Sequence, residues 1–438
     1  MDAPNKAAAR DKKAAKEAKR ERRAAAAASR GPRPEAPAPA PAPAPAPSQA
    51  PQKEASRRTR QQEATGAKLD DDLSNVGVLG DASLFGNVAL PRELQTNAST
   101  WVAAARKGTI HPSVLSLCFR LSTMTVRGAN NRAIAVLNAL GDVIRDYRTP
   151  PGAVLSRDLL TRVSQQVGHI VEARSMNTST GHAVRFLKYE ISVVDASLSE
   201  EEGKEHLLER IDHFIRDRIV YAARVIHTHA ANKIRDGDVV MTYANAGIVE
   251  GTLLAAHAQG RRFEVVVIDS RPLYEGRALA ERLLDAGIPT TYALLSAVSV
   301  VIDRVSLVLL GASALFSNGA TYARAGTATC AMIAHQCHVP VIVCCETYKF
   351  SDRIQLDSFV VNEAGNPSQL LATCDEGNDG VLLTRQESMQ QSRLKVVQLL
   401  FDVTPPRYIL AIASEVGLSA TESVGVILRD YKSVLFGI

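Results

Sequence analysis

Residues 237–272 read GDVVMTYANAGIVEGTLLAAHAQGRRFEVVVIDSRP. Val239 to Tyr243 and Val265 to Ile268 are short apolar runs rich in β-branched residues, and a helical stretch ending at Gly260 separates them. Strand, helix and strand in that order form a βαβ unit, whose two strands lie parallel. The alternation continues through Thr290 to Leu294, Val305 to Leu310 and Val339 to Cys345. Gly287 marks another helix end and Pro289 the entry to the next strand. The expected fold is therefore α/β, with a doubly wound, Rossmann-like parallel sheet over residues 236–438. In such a sheet the ligand crevice lies beyond the carboxyl ends of the strands.

The loops at those ends carry the candidate chemistry. Asn245-Ala246-Gly247 joins a strand to a helix, where glycine allows close backbone approach and the first helical amides attract phosphate or carboxylate. Asp269 and Arg271 offer a carboxylate for hydroxyls and a guanidinium for an anion. Asn318-Gly319 and Gly326-Thr327 supply a further tight turn and helix start. Ordinary turn chemistry explains each motif singly. Together Asn245, Gly247, Asp269, Arg271, Asn318 and Gly319 form an expected ligand pocket, a genuine or vestigial sugar-phosphate site. No phosphate loop and no Gly-x-Gly-x-x-Gly fingerprint opens any of these helices, which argues against a stand-alone nucleotide-binding module.

Upstream, from about residue 96 to 235, the pattern is helical. Ile134, Leu137, Leu140, Val143, Ile144 and Tyr147 recur at steps of three and four, and Pro150-Pro151 stops that helix. Ser156 is the expected N-cap of the next helix, with Asp158 in its first turn and Leu159, Leu160, Val163, Val167 and Ile170 facing inward. Leu207, Leu208, Ile211, Phe214, Ile215, Ile219 and Ala222 predict one long amphipathic helix running to about Asn232.

Residues 1–95 are expected to be a disordered tail and linker. The first 30 residues hold ten Lys or Arg against four acids, a local excess of six, whereas the whole chain carries a formal +5. The Pro-Ala alternation from Pro37 to Pro47 favours an extended spacer. Two readings of the basic segment stand: an electrostatic arm making weak contact with RNA, or a solvated extension. No aromatic residue interleaves its charges to stack on bases.

Six cysteines (Cys118, Cys330, Cys337, Cys344, Cys345 and Cys374) make no disulfide framework in 438 residues, and most sit in apolar runs. His335, Cys337 and His338 lack a second ligand pair at zinc-site spacing, so neither metal nor cofactor is expected. No stretch reaches the roughly 18 uncharged apolar residues of a membrane span, and the N-terminus lacks the apolar centre of a signal peptide. The expectation is a cytoplasmic protein.

Asp269-Ser-Arg-Pro to Gly276, Gly311 to Gly319, Cys344-Cys-Glu-Thr-Tyr-Lys-Phe350 and Phe401-Asp-Val-Thr-Pro-Pro406 closely resemble the regulatory subunits of eukaryotic translation initiation factor 2B. His111-Pro112, Tyr147-Arg-Thr-Pro-Pro151, Ser156-Arg-Asp-Leu159 and Phe186-Leu-Lys188 look most like its delta-type branch. The likeness runs in order over residues 83–438. The same scaffold resembles the methylthioribose-1-phosphate and ribose-1,5-bisphosphate isomerases. Those enzymes place a cysteine before the Asn-x-Gly turn and an aspartate after Gly-Ala; the matching positions here are Ala244 and Ser313. A methyl group exchanges no proton, and an unassisted hydroxyl is a poor general base. Arg127-Gly128-Ala129 resembles a substrate-binding turn of the isomerases, but Asn130-Asn131-Arg132 departs from their pattern.

The resemblance thus implies a non-catalytic regulatory subunit of a guanine-nucleotide exchange complex. Its expected partners are alpha, beta, gamma and epsilon type subunits and initiation factor 2, whose alpha-subunit phosphorylation it would help sense. By the same resemblance Arg157, Asp217 and Tyr221 are expected to contact factor 2 alpha. Leu84, Val397 and Leu399 are expected at a joint with sister subunits. The competing class is a sugar-phosphate isomerase.

Overall fold

The chain, seen in a computed structural model, is described at residues 87–89, 94–195, 197–359, 361–366, 369–370 and 397–436. Leu84, Cys374 and the basic tail lie outside the described residues. After a short strand, β1 (Asn87–Ala89), come six helices: α1 (Leu94–Arg106), α2 (Pro112–Ser122), α3 (Ala129–Asp146), α4 (Leu155–Ala173), α5 (Thr178–Val193) and α6 (Glu200–His213). Leu137, Leu140, Val143 and Ile144 of α3 are buried against Leu159, Val163 and Ile170 of α4 and Leu187 and Ile191 of α5 in one apolar cluster. Helix α6 begins with a capping box, in which Ser199 and Glu202 each satisfy the other's backbone amide.

Two local expectations are corrected here. Ser156 does not cap α4: the N-cap is Val154, without a side-chain cap, and Ser156 lies inside the first turn. The chain enters α4 from a turn in which Ala153 N–H bonds to the Pro150 carbonyl, so the helix starts two residues earlier than the cap reading requires. The long helix predicted to Asn232 is interrupted. Between α6 and α7 (Ala222–Ala231), residues Phe214–Tyr221 wind as a π-helix.

The sheet follows as β2 (Val239–Tyr243), α8 (Gly247–Ala258), β3 (Glu264–Asp269), α9 (Glu275–Asp285), β4 (Thr290–Leu294), α10 (Val298–Val301) and β5 (Leu307–Gly311). A short excursion, β6 (Ala314–Phe316) and β7 (Thr321–Arg324), precedes α11 (Thr327–Gln336), β8 (Val341–Cys344), β9 (Phe350–Ser351) and β10 (Val361–Glu363). The chain ends in β11 (Phe401–Thr404), β12 (Ala411–Ser414), β13 (Gly417–Ser419) and α12 (Val424–Phe436). The main sheet has the order β13-β12-β8-β5-β2-β3-β4, parallel except for the β12/β13 hairpin. Strand order reverses between β2 and β5, which makes their carboxyl ends the switch point.

Alternate residues of each strand feed opposite layers. Val265 and Val267 of β3 join Leu253 and Leu279 under α8 and α9, whereas Val266 and Ile268 join Cys330, Ala334 and Val424 under α11 and α12. Strand β4 forms one edge of the sheet, and its Tyr292 and Leu294 remain exposed. The excursion builds a four-stranded sheet, β11-β7-β6-β9, beside the main one. Strand β10 pairs in parallel with β1. Among the described residues no helix is long and apolar enough to cross a membrane.

Candidate functional site

The carboxyl ends of β2 and β5 open into a cleft of about 580 Å³, whose other wall comes from the helical region. Asn245, Ala246 and Gly247 form the loop from β2 into α8, which starts without a side-chain cap. Gly311 closes β5 against that loop: a Cβ there would stand 2.4 Å from the Ala246 Cβ, so only glycine permits the approach. Ser313 lines the cleft beside this turn. Ala244, just before it, takes a left-handed φ of 54° and is buried. Opposite stand Arg127, Gly128, Ala129 and Asn130 at the start of α3, with Arg174 beyond the end of α4.

Six basic side chains line the cleft, and within the chain each already has a carboxylate. Arg324 grips Glu275 with two bonds of 2.8 Å, and Arg127 reaches the same carboxylate at 3.8 Å. Arg282 grips Glu250 at 2.6 and 2.8 Å. Arg174 and Arg132 share Glu363 of β10, the second at 3.8 Å. Lys349 pairs with Glu346 at 2.6 Å. Burial and the neighbouring Arg174 pull the Arg132 guanidinium down to about 9, still a cation at neutral pH. Six cations against four carboxylates leave a net positive cleft, but any anion entering it competes with groups already paired.

The expected pocket residues separate into three places. Asn245 and Gly247 line this cleft. Asp269 and Arg271 line a smaller cavity of about 210 Å³, together with Tyr243, Ala244, Val397 and Leu399. The Asp269 carboxylate is not offered to a ligand hydroxyl: it is buried and accepts from Ser270 N at 2.9 Å, Arg277 N at 3.1 Å and the Tyr292 hydroxyl at 3.0 Å. It thereby fastens the start of α9, and burial raises its pKa. Asn318 and Gly319 belong to neither cavity. They form the β6/β7 turn, where the Asn318 amide reaches the Gln355 carbonyl at 3.4 Å and Gly319 lies against Thr421. Similarly, the Gly326-Thr327 helix start is satisfied internally, because Asp402 accepts from Gly326 N and Ala328 N at 2.7 and 2.9 Å.

Outside the cleft, Asp217 and Tyr221 stand exposed on the π-helical segment. Asp217 pairs with Arg216 at 2.9 Å, which lowers its pKa, and the Arg224 guanidinium lies 5.4 Å from the Tyr221 ring centre. Arg157, also exposed, is at the opposite end of α6: its helix start meets Gly203 through Leu155. Asp217 lies fourteen residue steps beyond Gly203 along the helix, roughly 20 Å at about 1.5 Å per residue. Val397 is 46% exposed, whereas Leu399 is half-buried and bridges to Ala364.

Residues missed by sequence reasoning include Ile354, Leu356 and Phe359, which are 69%, 81% and 54% exposed. Buried Gln355 holds their loop by donating to the Asp357 and Val361 carbonyls at 2.7 and 2.9 Å. The available signal was three large apolar side chains at spacings that fit neither a helix nor a strand. Among the described residues no group of His, Cys, Asp or Glu could hold a metal ion. Cys118, Cys330, Cys344 and Cys345 are buried, and Cys337 is exposed.

A family model described as the initiation factor 2 subunit family matches residues 125–421. The chain belongs to this family. It is 44% identical over 327 residues to the Schizosaccharomyces pombe translation initiation factor eIF2B subunit delta, covering 74% of this chain and 70% of that one. A chain of the tetrameric eIF2B-beta2-delta2 complex from C. thermophilum superimposes with a TM-score of 0.65 at 32% identity, covering 78% of this chain and 99% of that one. The ribose 1,5-bisphosphate isomerase of Methanocaldococcus jannaschii is 28% identical, covering 71% of this chain and 93% of the enzyme. Similarity therefore favours the regulatory, non-catalytic delta-type subunits over the isomerases. Ala244 and Ser313 at the two reactive positions agree with that placement.

Proposed function

We propose that this chain works as a delta-type regulatory subunit of a guanine-nucleotide exchange complex, binding initiation factor 2 and helping to sense phosphorylation of its alpha subunit. The observation that carries the reading is a cleft that keeps its framework while holding no proton-transfer group at Ala244 or Ser313 and tying every lining cation to a carboxylate. Such a body supports recognition. The docking strip is assigned to Asp217 and Tyr221, flanked by exposed Val220 and Val225 on the same and following turns. Arg157 is assigned to a separate contact, reached only by a partner wide enough to span α6.

Sister subunits of the alpha, beta, gamma and epsilon types are the proposed neighbours. Val397 and the Ile354, Leu356 and Phe359 loop supply the apolar surface that such an association would cover. Assembly would proceed in the cytoplasm. Replacing Asp217 by Lys reverses charge on the strip without touching the core. In nucleotide-exchange assays on the assembled complex, Asp217→Lys is expected to blunt inhibition by phosphorylated factor 2. Inhibition equal to wild type would remove the assignment. Turnover of ribose 1,5-bisphosphate by the purified chain would overturn the non-catalytic reading.

A further inference from the structure

We propose that anion occupancy of the cleft is coupled to the winding of Phe214–Tyr221, so that the cleft regulates the surface bearing Asp217 and Tyr221. The proposal rests on the docking reading above and adds its control.

The element that would respond is unusual. Eight residues wind as a π-helix between two α-helices, and Ala222 N–H donates to the Asp217 carbonyl, five residues back. A π segment accommodates a residue more than the α winding of the same length, so an alternative register is built into it. Its outer face presents Asp217 and Tyr221, and its inner face buries Phe214 and Ile219. A change of winding moves both faces together.

A continuous set of contacts runs from Phe214 to the cleft. The Phe214 ring lies 4.7 Å from Phe186 and meets Tyr348 edge-on at 6.0 Å. Tyr348 is buried in the helical core although it follows β8 in sequence. Its hydroxyl donates to Asn130 Oδ1, and Asn130 Nδ2 donates to Glu346 Oε1 at 2.6 Å. Glu346 Oε2 holds Lys349 Nζ at 2.6 Å. Asn130 and Lys349 both line the cleft.

An anion seated there competes with Glu346 for the Lys349 ammonium. Glu346 is fully buried and cannot turn to water, so its charge falls more heavily on Asn130. Asn130 is the group that holds the Tyr348 hydroxyl. Closely packed interiors transmit such shifts as discrete rearrangements, and Phe214 is the ring in the path. The coupling requires Phe214–Tyr221 to have a second winding, which the cleft and the docking surface would both bias.

Hydrogen exchange of the full-length chain tests this, with inorganic phosphate titrated against sodium chloride at matched ionic strength. Amides 246–250 report occupancy at the start of α8, and amides 218–222 report the winding. Phosphate is expected to protect the first set and to change exchange of the second by about fivefold or more, the lower end of allosteric coupling. Tyr348→Phe is expected to keep the first response and lose the second. Should that variant fail to fold by circular dichroism, Phe214→Leu removes the ring from the same path.

Protection at 246–250 with no change at 218–222 overturns the coupling, as does an unprotected 246–250 through the millimolar range. A Tyr348→Phe response matching wild type overturns the route. No partner is present in this experiment, so its failure is distinct from failure of the docking strip, which the exchange assay alone decides.

Discussion

Asp402 shows how one carboxylate can be held between opposing forces. Two backbone amides at the start of α11 favour its charge, but its other oxygen is buried without a partner, and burial raises the pKa to about 7. The unfolded chain releases that proton near the ordinary 3.8, so the folded state holds it more tightly. The contribution to stability is greatest below the unfolded value and is lost as pH rises through about 7. Denaturant unfolding of wild type and Asp402→Asn between about pH 5 and pH 7 should diverge in slope by roughly 1.4 kcal/mol per pH unit. Parallel curves would show that Asp402 is already ionised. Single residues were also where sequence reading went furthest astray. Asp269 and Asn318 look like ligand groups because their residue types suit ligands, but backbone amides and a neighbouring loop already claim them. Nothing in a one-dimensional pattern shows which hydrogen bonds are taken.

At the scale of elements, strand β10 ties the helical region to the sheet through Glu363, which serves both Arg132 and Arg174. All three side chains are buried. Removing the shared acid leaves two uncompensated cations, so Glu363→Ala should cost about 3–5 kcal/mol in urea unfolding. A milder loss is expected for Glu363→Gln, which keeps an acceptor. Equal losses would mean that the carboxylate charge, which both variants remove, holds the strand, and that packing adds nothing. The five parallel strands from β2 to β8 were legible because alternate residues enter two different apolar layers and glycines close the helices between them. The π-helical stretch was not. An inserted residue leaves steps of three and four intact on both sides, so Phe214 and Ile219 read as positions of one continuous helix. The β6/β7 excursion was likewise invisible, since a strict strand-helix alternation leaves no room for an antiparallel hairpin.

Taken whole, the molecule presents apolar surface at sites far apart in sequence. Val397 is exposed and its side chain is not part of the buried clusters, so Val397→Asp should leave the fold intact while weakening association with sister subunits. Co-expression followed by size-exclusion chromatography would show a soluble lone subunit; an aggregated or unfolded product would return Val397 to the core. The division into helices and sheet was readable from the change of period near Gly237, because helix and strand bury side chains at different intervals. The cleft between them was only half readable, since Arg132, Arg174 and Glu363 meet across stretches that no local motif connects. Strand β4 adds one more consequence. Among the described residues no strand pairs with its outer rim, which lies next to exposed Tyr292 and Leu294 and is a template for unwanted annealing. Any copy whose β4 is left uncovered carries that hazard, so clumping is expected to rise steeply with the concentration of the isolated chain.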